Sequence, residues 1–105
     1  MLGSVTILEP RGRIDSTTAK EFGDCLSKLL NTGHNQLLID LHSITYISSA
    51  GFRQLLIAKR STHDKNGKLA LCGVSGEVKR LFEVGAFAEL LPIYPTREAA
   101  IASVQ

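Results

Sequence analysis

Short apolar runs alternate with longer amphipathic stretches along the whole of this 105-residue chain. The runs span residues 5–8, 36–41, 69–72 and 91–94, and each precedes a stretch with apolar residues at helical spacing. The predicted order is therefore β-α-β-α-β-α-β-α. Right-handed crossovers join strands that alternate with helices in this way, and the sheet that results is largely parallel. The pattern predicts an α/β fold of one domain, residues 1–105, but leaves the strand order open.

The helix boundaries and the core follow from local signals. Thr18 and Glu21 have capping-box spacing before the first helix, and Thr96 is the predicted cap of the last one. The run at 36–41 contains three consecutive apolar residues, 37–39, which indicates a strand that is covered on both faces. Pro92 cannot donate to a strand ladder, so the run at 91–94 is predicted at an edge. The large side chains predicted to be buried are Phe22, Leu26, Leu38, Ile39, Leu55, Leu71 and Phe82.

Composition excludes several classes of function. The 12 basic and 10 acidic residues give a net charge of +2, too small and too dispersed for a protein that binds nucleic acid by counterion release. No apolar run approaches the ~20 residues of a membrane span, and the first residues do not resemble a secretory signal. Cys25 and Cys72 match no zinc or redox spacing, so we predict two reduced, buried thiols in a cytoplasmic protein.

No catalytic motif stands out in the chain. Walker, dinucleotide-binding, nucleophile-elbow and zinc-protease patterns are all absent from the sequence. The histidines His34, His42 and His63 are scattered, and they form no cluster that resembles a metal site. The sequence therefore predicts a protein that is not an enzyme and that holds neither a metal nor a cofactor.

One segment, residues 46–53, has an unusual composition for the start of a helix. Either Ser48 or Ser49 can be the N-cap, which needs no further function. Ala50 and Gly51 follow in the first turn, where Gly costs about 1 kcal/mol relative to Ala. Small residues at a helix N-terminus also permit the close approach of an anion, and a phosphate on Ser49 would suit that position. The residues alone leave both interpretations open.

The same segment resembles the signature of STAS domains, the anti-sigma factor antagonists of bacteria. That signature is an aromatic or apolar pair followed by Asp-Ser-small-Gly-Leu. Three further stretches are similar to the family in the expected order: Gly12 to Asp15, the strand that ends Leu38-Ile39-Asp40-Leu41, and Gly73 to Glu83. The resemblance covers the chain from about residue 4 to residue 104.

The resemblance implies a four- or five-stranded, mostly parallel or mixed sheet with helices mainly on one face. It also implies partner switching, in which an anti-sigma factor serine kinase phosphorylates the antagonist. The kinase then no longer binds the phosphorylated antagonist. A serine phosphatase then restores binding. The phosphorylated position falls on Ser49, and Asp15 matches an acidic residue beside it. Ser48 stands where the family usually has Asp, which leaves a second hydroxyl next to the first.

Two functions follow from this resemblance. The first is an anti-sigma factor antagonist that is switched at Ser49, with Asp15, Ser48, Ala50, Gly51 and Arg53 at the partner-binding surface. The alternative is a STAS interaction subunit of a transporter or scaffold complex that is not phosphorylated. Either would be a monomer or a weak dimer.

Overall fold

The computed structural model describes residues 5–85 and 89–105, and over these residues the chain forms five strands and four α-helices. The strands are β1 (Thr6–Leu8), β2 (Gly12–Ile14), β3 (Gln36–Asp40), β4 (Ile44–Ile47) and β5 (Lys68–Cys72). The helices are α1 (Ala19–Asn31), α2 (Ser49–Asp64), α3 (Gly76–Val84) and α4 (Arg97–Val104). Residues 1–4 lie outside the described part, so the absence of a secretory signal there stays a prediction.

Every strand pair in the described part of the chain is parallel. One sheet has the order β1-β3-β5, and β2 pairs with β4 in a second, two-stranded ladder. The central position of β3 agrees with its continuous apolar run, since Leu37, Leu38 and Ile39 have no solvent exposure. The prediction of an α/β fold with a largely parallel sheet is confirmed.

The short strands are where pattern and structure differ. The hydrophobic pattern indicated neither β2, in which only Ile14 is buried, nor β4, in which only Ile44 and Ile47 are buried. The predicted strand at 91–94 is reduced to a single parallel bridge between Ile93 and Leu71. There Leu71 donates its N–H to the carbonyl of Pro92 and accepts one from Tyr94. Proline takes part through its oxygen only, so the ladder does not extend.

The core has two layers. The larger cluster contains buried residues of α1, α2 and α3, including Leu26, Leu55 and Phe82, together with Leu37 and Ile39 of β3. The smaller cluster consists of Leu38, Ala70, Cys72, Ala100 and Val104, where α4 covers the other side of β3 and β5. Three of the four helices thus contribute to one layer, as the resemblance implied.

Burial confirms the predicted core and corrects one cysteine. All seven side chains that were predicted to be buried are buried. Both cysteines are free thiols, but the prediction that both are buried is wrong for Cys25, which is exposed. Cys25 lies three residues after Phe22, on the flank of the stripe that α1 buries. None of the helices found in the described ranges is long and apolar enough to span a membrane.

Candidate phosphorylation and partner-binding site

The start of α2 separates the roles of its two serines. Ser48 has an extended backbone, and its hydroxyl accepts a 3.2 Å hydrogen bond from the N–H of Gly51. Ser48 is therefore the N-cap. Ser49 is the first residue of the helix, is exposed, and its hydroxyl has no hydrogen-bond partner within residues 5–85 and 89–105. The sequence left open which of the two serines caps α2, and the structure shows that the capping hydroxyl belongs to Ser48.

Gly51 is required by packing. A Cβ atom at this position would lie 2.7 Å from Cγ1 of Ile47 and 2.8 Å from Cγ2 of Ile14. The first turn of α2 thus rests on the ends of β4 and β2, closer than any larger residue allows. Gly51 is buried at the start of α2, and its predicted contact with a partner stays a prediction.

Asp15 stabilises the turn that leads into α1, whose N-cap residue is Thr18. Its Oδ1 accepts hydrogen bonds from the N–H and hydroxyl of Thr17, at 3.0 and 2.6 Å, and from the N–H of Thr18 at 3.2 Å. These bonds, those from Thr17 first, lower the pKa of Asp15 from 3.8 to about 2. Asp15 is an anion at neutral pH. The predicted capping box is wrong, because the Thr18 hydroxyl donates to the carbonyl of Arg13 and accepts from the N–H of Asp15.

The register of β2 and β4 brings Asp15 to the serines. Ile14 pairs with Ile47, and the N–H of Ser48 donates a 2.8 Å hydrogen bond to the carbonyl of Ile14. Asp15 and Ser48 each follow directly on these paired residues, at the carboxyl ends of two neighbouring parallel strands. The proximity of Asp15 to the start of α2, which the resemblance implied, thus has a backbone origin.

Arg13 belongs to the same surface, and sequence reasoning did not select it. It pairs with Tyr46 in the ladder, and its Cζ lies 4.4 Å from the centroid of the Tyr46 ring. Its Nε lies 3.6 Å from Oδ2 of Asp15, and 61% of its side chain is exposed. The alternation of side chains along a strand places residues 13 and 15 on one face, and that signal becomes available once β2 is known.

Arg53 lies one turn beyond Ser49 on the exposed side of α2. Its guanidinium has no ion pair or hydrogen bond within the described residues, and Ile57 follows on the same stripe with 47% of its surface exposed. Ala50 is half-buried and packs against the core. We call Arg13, Asp15, Ser49, Arg53 and Ile57 the switch surface.

Comparison with known proteins identifies this arrangement. The sequence model of the STAS domain matches residues 2–100. BtrV of Bordetella bronchiseptica, a protein named as an anti-sigma factor antagonist, is 31% identical over 93 residues, which cover 89% of this chain and 80% of that protein. The chain belongs to the STAS domain family. The resemblance seen in the four sequence stretches is thereby confirmed.

Solved structures confirm the STAS fold. The crystal structure of a Thermotoga maritima protein, described as an anti-sigma factor antagonist, superposes with a TM-score of 0.85 and 24% identity over 95% of this chain and 86% of that one. SpoIIAA of Bacillus in its phosphorylated form gives a TM-score of 0.68 and 16% identity over 93% and 88%. At these identities the likeness concerns the fold alone.

A second polar cluster in this STAS domain fastens α4. Asp40 is buried, and its Oδ2 accepts from Nε and Nη2 of Arg97 at 3.1 and 2.9 Å, while its Oδ1 lies 2.9 Å from Nδ1 of His42. Burial raises the pKa of Asp40, but the bonds from Arg97 and His42 outweigh it and the pKa is lowered. Burial also raises the pKa of the neighbouring Cys72 to about 11.

Within the described residues, this cluster is also the one group of three or more side chains whose possible metal-ligand atoms lie close together. Glu9, Asp40 and His42 place such atoms within 4.8 Å of one another. Nη2 of Arg97, however, lies 2.9 Å from carboxylate oxygens of both Glu9 and Asp40. The guanidinium already occupies the space between these two carboxylates, so we interpret the cluster as a structural network.

Proposed function

We propose that this STAS protein is an anti-sigma factor antagonist in a partner-switching pathway. It binds an anti-sigma factor serine kinase while Ser49 is unmodified, and releases the kinase when Ser49 is phosphorylated. A serine phosphatase then returns it to the binding form. Family membership and the names of its relatives support the regulatory role. The proposal has residues 1–105 acting as one cytoplasmic domain, a monomer or weak dimer, with no catalytic activity of its own.

The observation that carries the proposal is the exposed, unengaged hydroxyl of Ser49 directly after the capping Ser48. A kinase can reach this hydroxyl without local unfolding. Because Ser48 holds the cap, a phosphate on Ser49 removes no hydrogen bond that the helix needs. The modification therefore changes the surface and leaves the fold in place.

The charge of phosphoserine is large enough to work as a switch. It adds about −1.5 to −2 charges at neutral pH. Placing such a charge in an interface that has no partner for it costs about 3–5 kcal/mol. At about 1.4 kcal/mol per tenfold, affinity falls by roughly a hundredfold to several thousandfold. The ionised carboxylate of Asp15 adds a second negative charge beside the phosphate.

The switch surface also indicates what the partner presents. Ile57 offers an apolar contact in line with Ser49, and Arg53 lies between them with a guanidinium that pairs with nothing in residues 5–85 and 89–105. A complementary partner carries an apolar pocket with a carboxylate near it, and it leaves no cation at the position of Ser49. Such a partner loses affinity when Ser49 acquires negative charge.

The test is affinity capture with phosphosite mapping. The protein is used to capture partners from native cells, and the captured kinase is then incubated with the wild type, Ser49→Ala and Ser48→Ala. We expect phosphate on Ser49 in the wild type and in Ser48→Ala, and none in Ser49→Ala. Phosphate on Ser48 alone would contradict the assignment. Capture of transporter or scaffold components, with no phosphorylation, would favour the unphosphorylated interaction subunit instead.

A further inference from the structure

A cleft of about 600 Å³ opens beyond the carboxyl end of β5, and it shares no residue with the switch surface. Its walls come from residues 73–75, from α3 and from residues 93–95, with His42 at its border. Small-molecule sites have volumes of about 300–1,000 Å³. In open parallel α/β sheets, ligands bind outside the carboxyl ends of the strands, which is where this cleft lies.

The polar groups of the cleft converge at one end. The hydroxyl of Ser75 does not cap α3, and the ammonium of Lys79 has no ion pair; neither side chain has a hydrogen-bond partner in the described part of the chain. Lys79 follows Ser75 by four residues, its N–H donates to the Ser75 carbonyl at 3.2 Å, and both residues line the cleft. Two free donors, one of them charged, are suited to an anionic group.

The rest of the cleft is apolar and has one opposing charge. Val74, Phe82 and Ile93 supply wall area for a hydrocarbon or aromatic body. Glu83 lies one turn beyond Lys79, so an anion is repelled from that end and directed towards Ser75. The imidazole of His42 is already engaged, since Nδ1 lies 2.9 Å from Asp40 and Nε2 lies 3.0 Å from Ser43.

The loop that forms the cleft is fixed by its neighbours. Gly73 has a φ of +75°, and a Cβ atom there would collide with Oδ1 of Asp40 and with the N–H of His42. Asp40 is itself held by Arg97 through two hydrogen bonds. The close packing of Gly73 against Asp40 and His42 therefore leaves this end of the cleft little room to move, which reduces the entropic cost of binding there.

We propose that this cleft binds a small organic anion, with a carboxylate or similar group at Ser75 and Lys79 and an apolar body against Val74, Phe82 and Ile93. Naphthalene-1-acetate has this chemistry, and naphthalene-1-acetamide is its neutral match. Each is titrated into the ¹⁵N-labelled full chain and followed by two-dimensional NMR. We expect saturable shifts of the amides of residues 73–76 and 93–94, with the acetate bound about tenfold more tightly, the effect of one charged hydrogen bond.

Two variants and a control test the placement. Lys79→Gln is expected to weaken the acetate about tenfold and to leave the acetamide unchanged. Ser75→Trp fills the mouth of the cleft and is expected to abolish binding of both compounds. Lys28→Gln, which removes a lysine from α1, should change neither, and the unperturbed spectra of the variants verify their fold. Shifts centred elsewhere, equal binding of the two compounds, or no saturable binding would overturn the proposal. Because no residue near Ser49 takes part, the outcome is independent of the phosphorylation test.

Discussion

The N–H of Ser48 donates a 2.8 Å hydrogen bond to the carbonyl of Ile14, which joins the end of β4 to the end of β2. This bond holds Ser48 in the extended conformation from which its hydroxyl caps α2. It also determines that the next residue, Ser49, is the first exposed position of the helix. The two serines are neighbours in sequence, but Ser48 stabilises the fold as the cap of α2, whereas Ser49 is exposed at the surface.

Substitutions at Ser49 should change binding without destabilising the fold. We expect Ser49→Ala to alter the free energy of unfolding by no more than about 0.5 kcal/mol, since no cap is lost. Ser49→Asp places an anion at a helix N-terminus, which is locally favourable by about 0.3–1 kcal/mol. Ser49→Ala should bind the kinase constitutively, and Ser49→Asp should bind it at least about a hundredfold more weakly. Calorimetry measures the binding of each variant, and thermal melts measure its stability. Equal binding by Ser49→Asp and the wild type would contradict the proposed switch at Ser49.

Ser48 should show the reverse behaviour. Ser48→Ala removes the hydroxyl that accepts from Gly51 and is expected to destabilise the protein by about 0.5–2 kcal/mol. Ser48→Asp retains an acceptor and should restore most of that loss. Denaturant titration of the three proteins gives the values. A Ser48→Ala variant as stable as the wild type would show that the cap has no energetic role.

Two helical glycines form a matched pair for a packing test. Gly51→Ala places a methyl group against Ile47 and Ile14, and we expect a loss of about 1–3 kcal/mol. At Gly23 of α1, the added methyl group meets the end of the flexible Gln54 side chain, which can move away. Gly23→Ala also gains about 1 kcal/mol of helix propensity, so it should be neutral or stabilising. Similar costs in the two variants would contradict the close packing of α2 on β2 and β4.

Asp15 should make stability dependent on acidic pH. Its pKa in the folded protein, about 2, is below the ordinary 3.8, so the folded state favours the carboxylate. The stabilisation is therefore complete above about pH 5 and is lost as the pH falls through about 2. Asp15→Asn should melt at a lower temperature than the wild type at pH 7, with a smaller difference near pH 2. Thr17→Val removes the hydroxyl that bonds to Asp15, and NMR titration should show the pKa of Asp15 shifted back towards its ordinary value.

The ion pair of Asp40 and Arg97 should be energetically coupled. Arg97→Met leaves the buried carboxylate of Asp40 without its main partner, and we expect a loss of about 3 kcal/mol or more. Adding Asp40→Asn should recover part of this loss, because the buried charge is then gone. A double-mutant cycle from urea titrations measures the coupling. Additive effects of the two substitutions would mean that the pair contributes nothing beyond its separate members.

Sequence reasoning reached the long elements and missed the contacts that depend on register. The apolar run at 37–39 is enough to reveal a central strand, and the cap at Thr96 follows a local rule. Strand β2 has one buried residue and a bulge after Gly12, so its periodicity is too weak to detect. Without β2, the pairing of Arg13 with Tyr46 and its contact with Asp15 cannot be inferred.

The hydrophobic pattern also did not predict which residues at the margins of the helices are buried. Cys25 and Ile57 are apolar and lie next to buried positions, yet both are exposed, because the edge of a helical stripe depends on how the neighbouring helix is set. Ser49 is exposed, and the sequence alone could not distinguish it from Ser48 as the cap. That distinction arises from the hydrogen bond to Ile14, which is made across the ladder of β2 and β4.

The division of work between Ser48 and Ser49 has a consequence for the protein in the cell. Since residue 49 takes no part in capping, phosphorylation should neither make the protein more susceptible to proteases nor shorten its lifetime. Under the proposed function, the signal then resides in the ratio of the two forms and not in their total amount. The response can be reset as fast as the kinase and the phosphatase act, with no new synthesis of the antagonist.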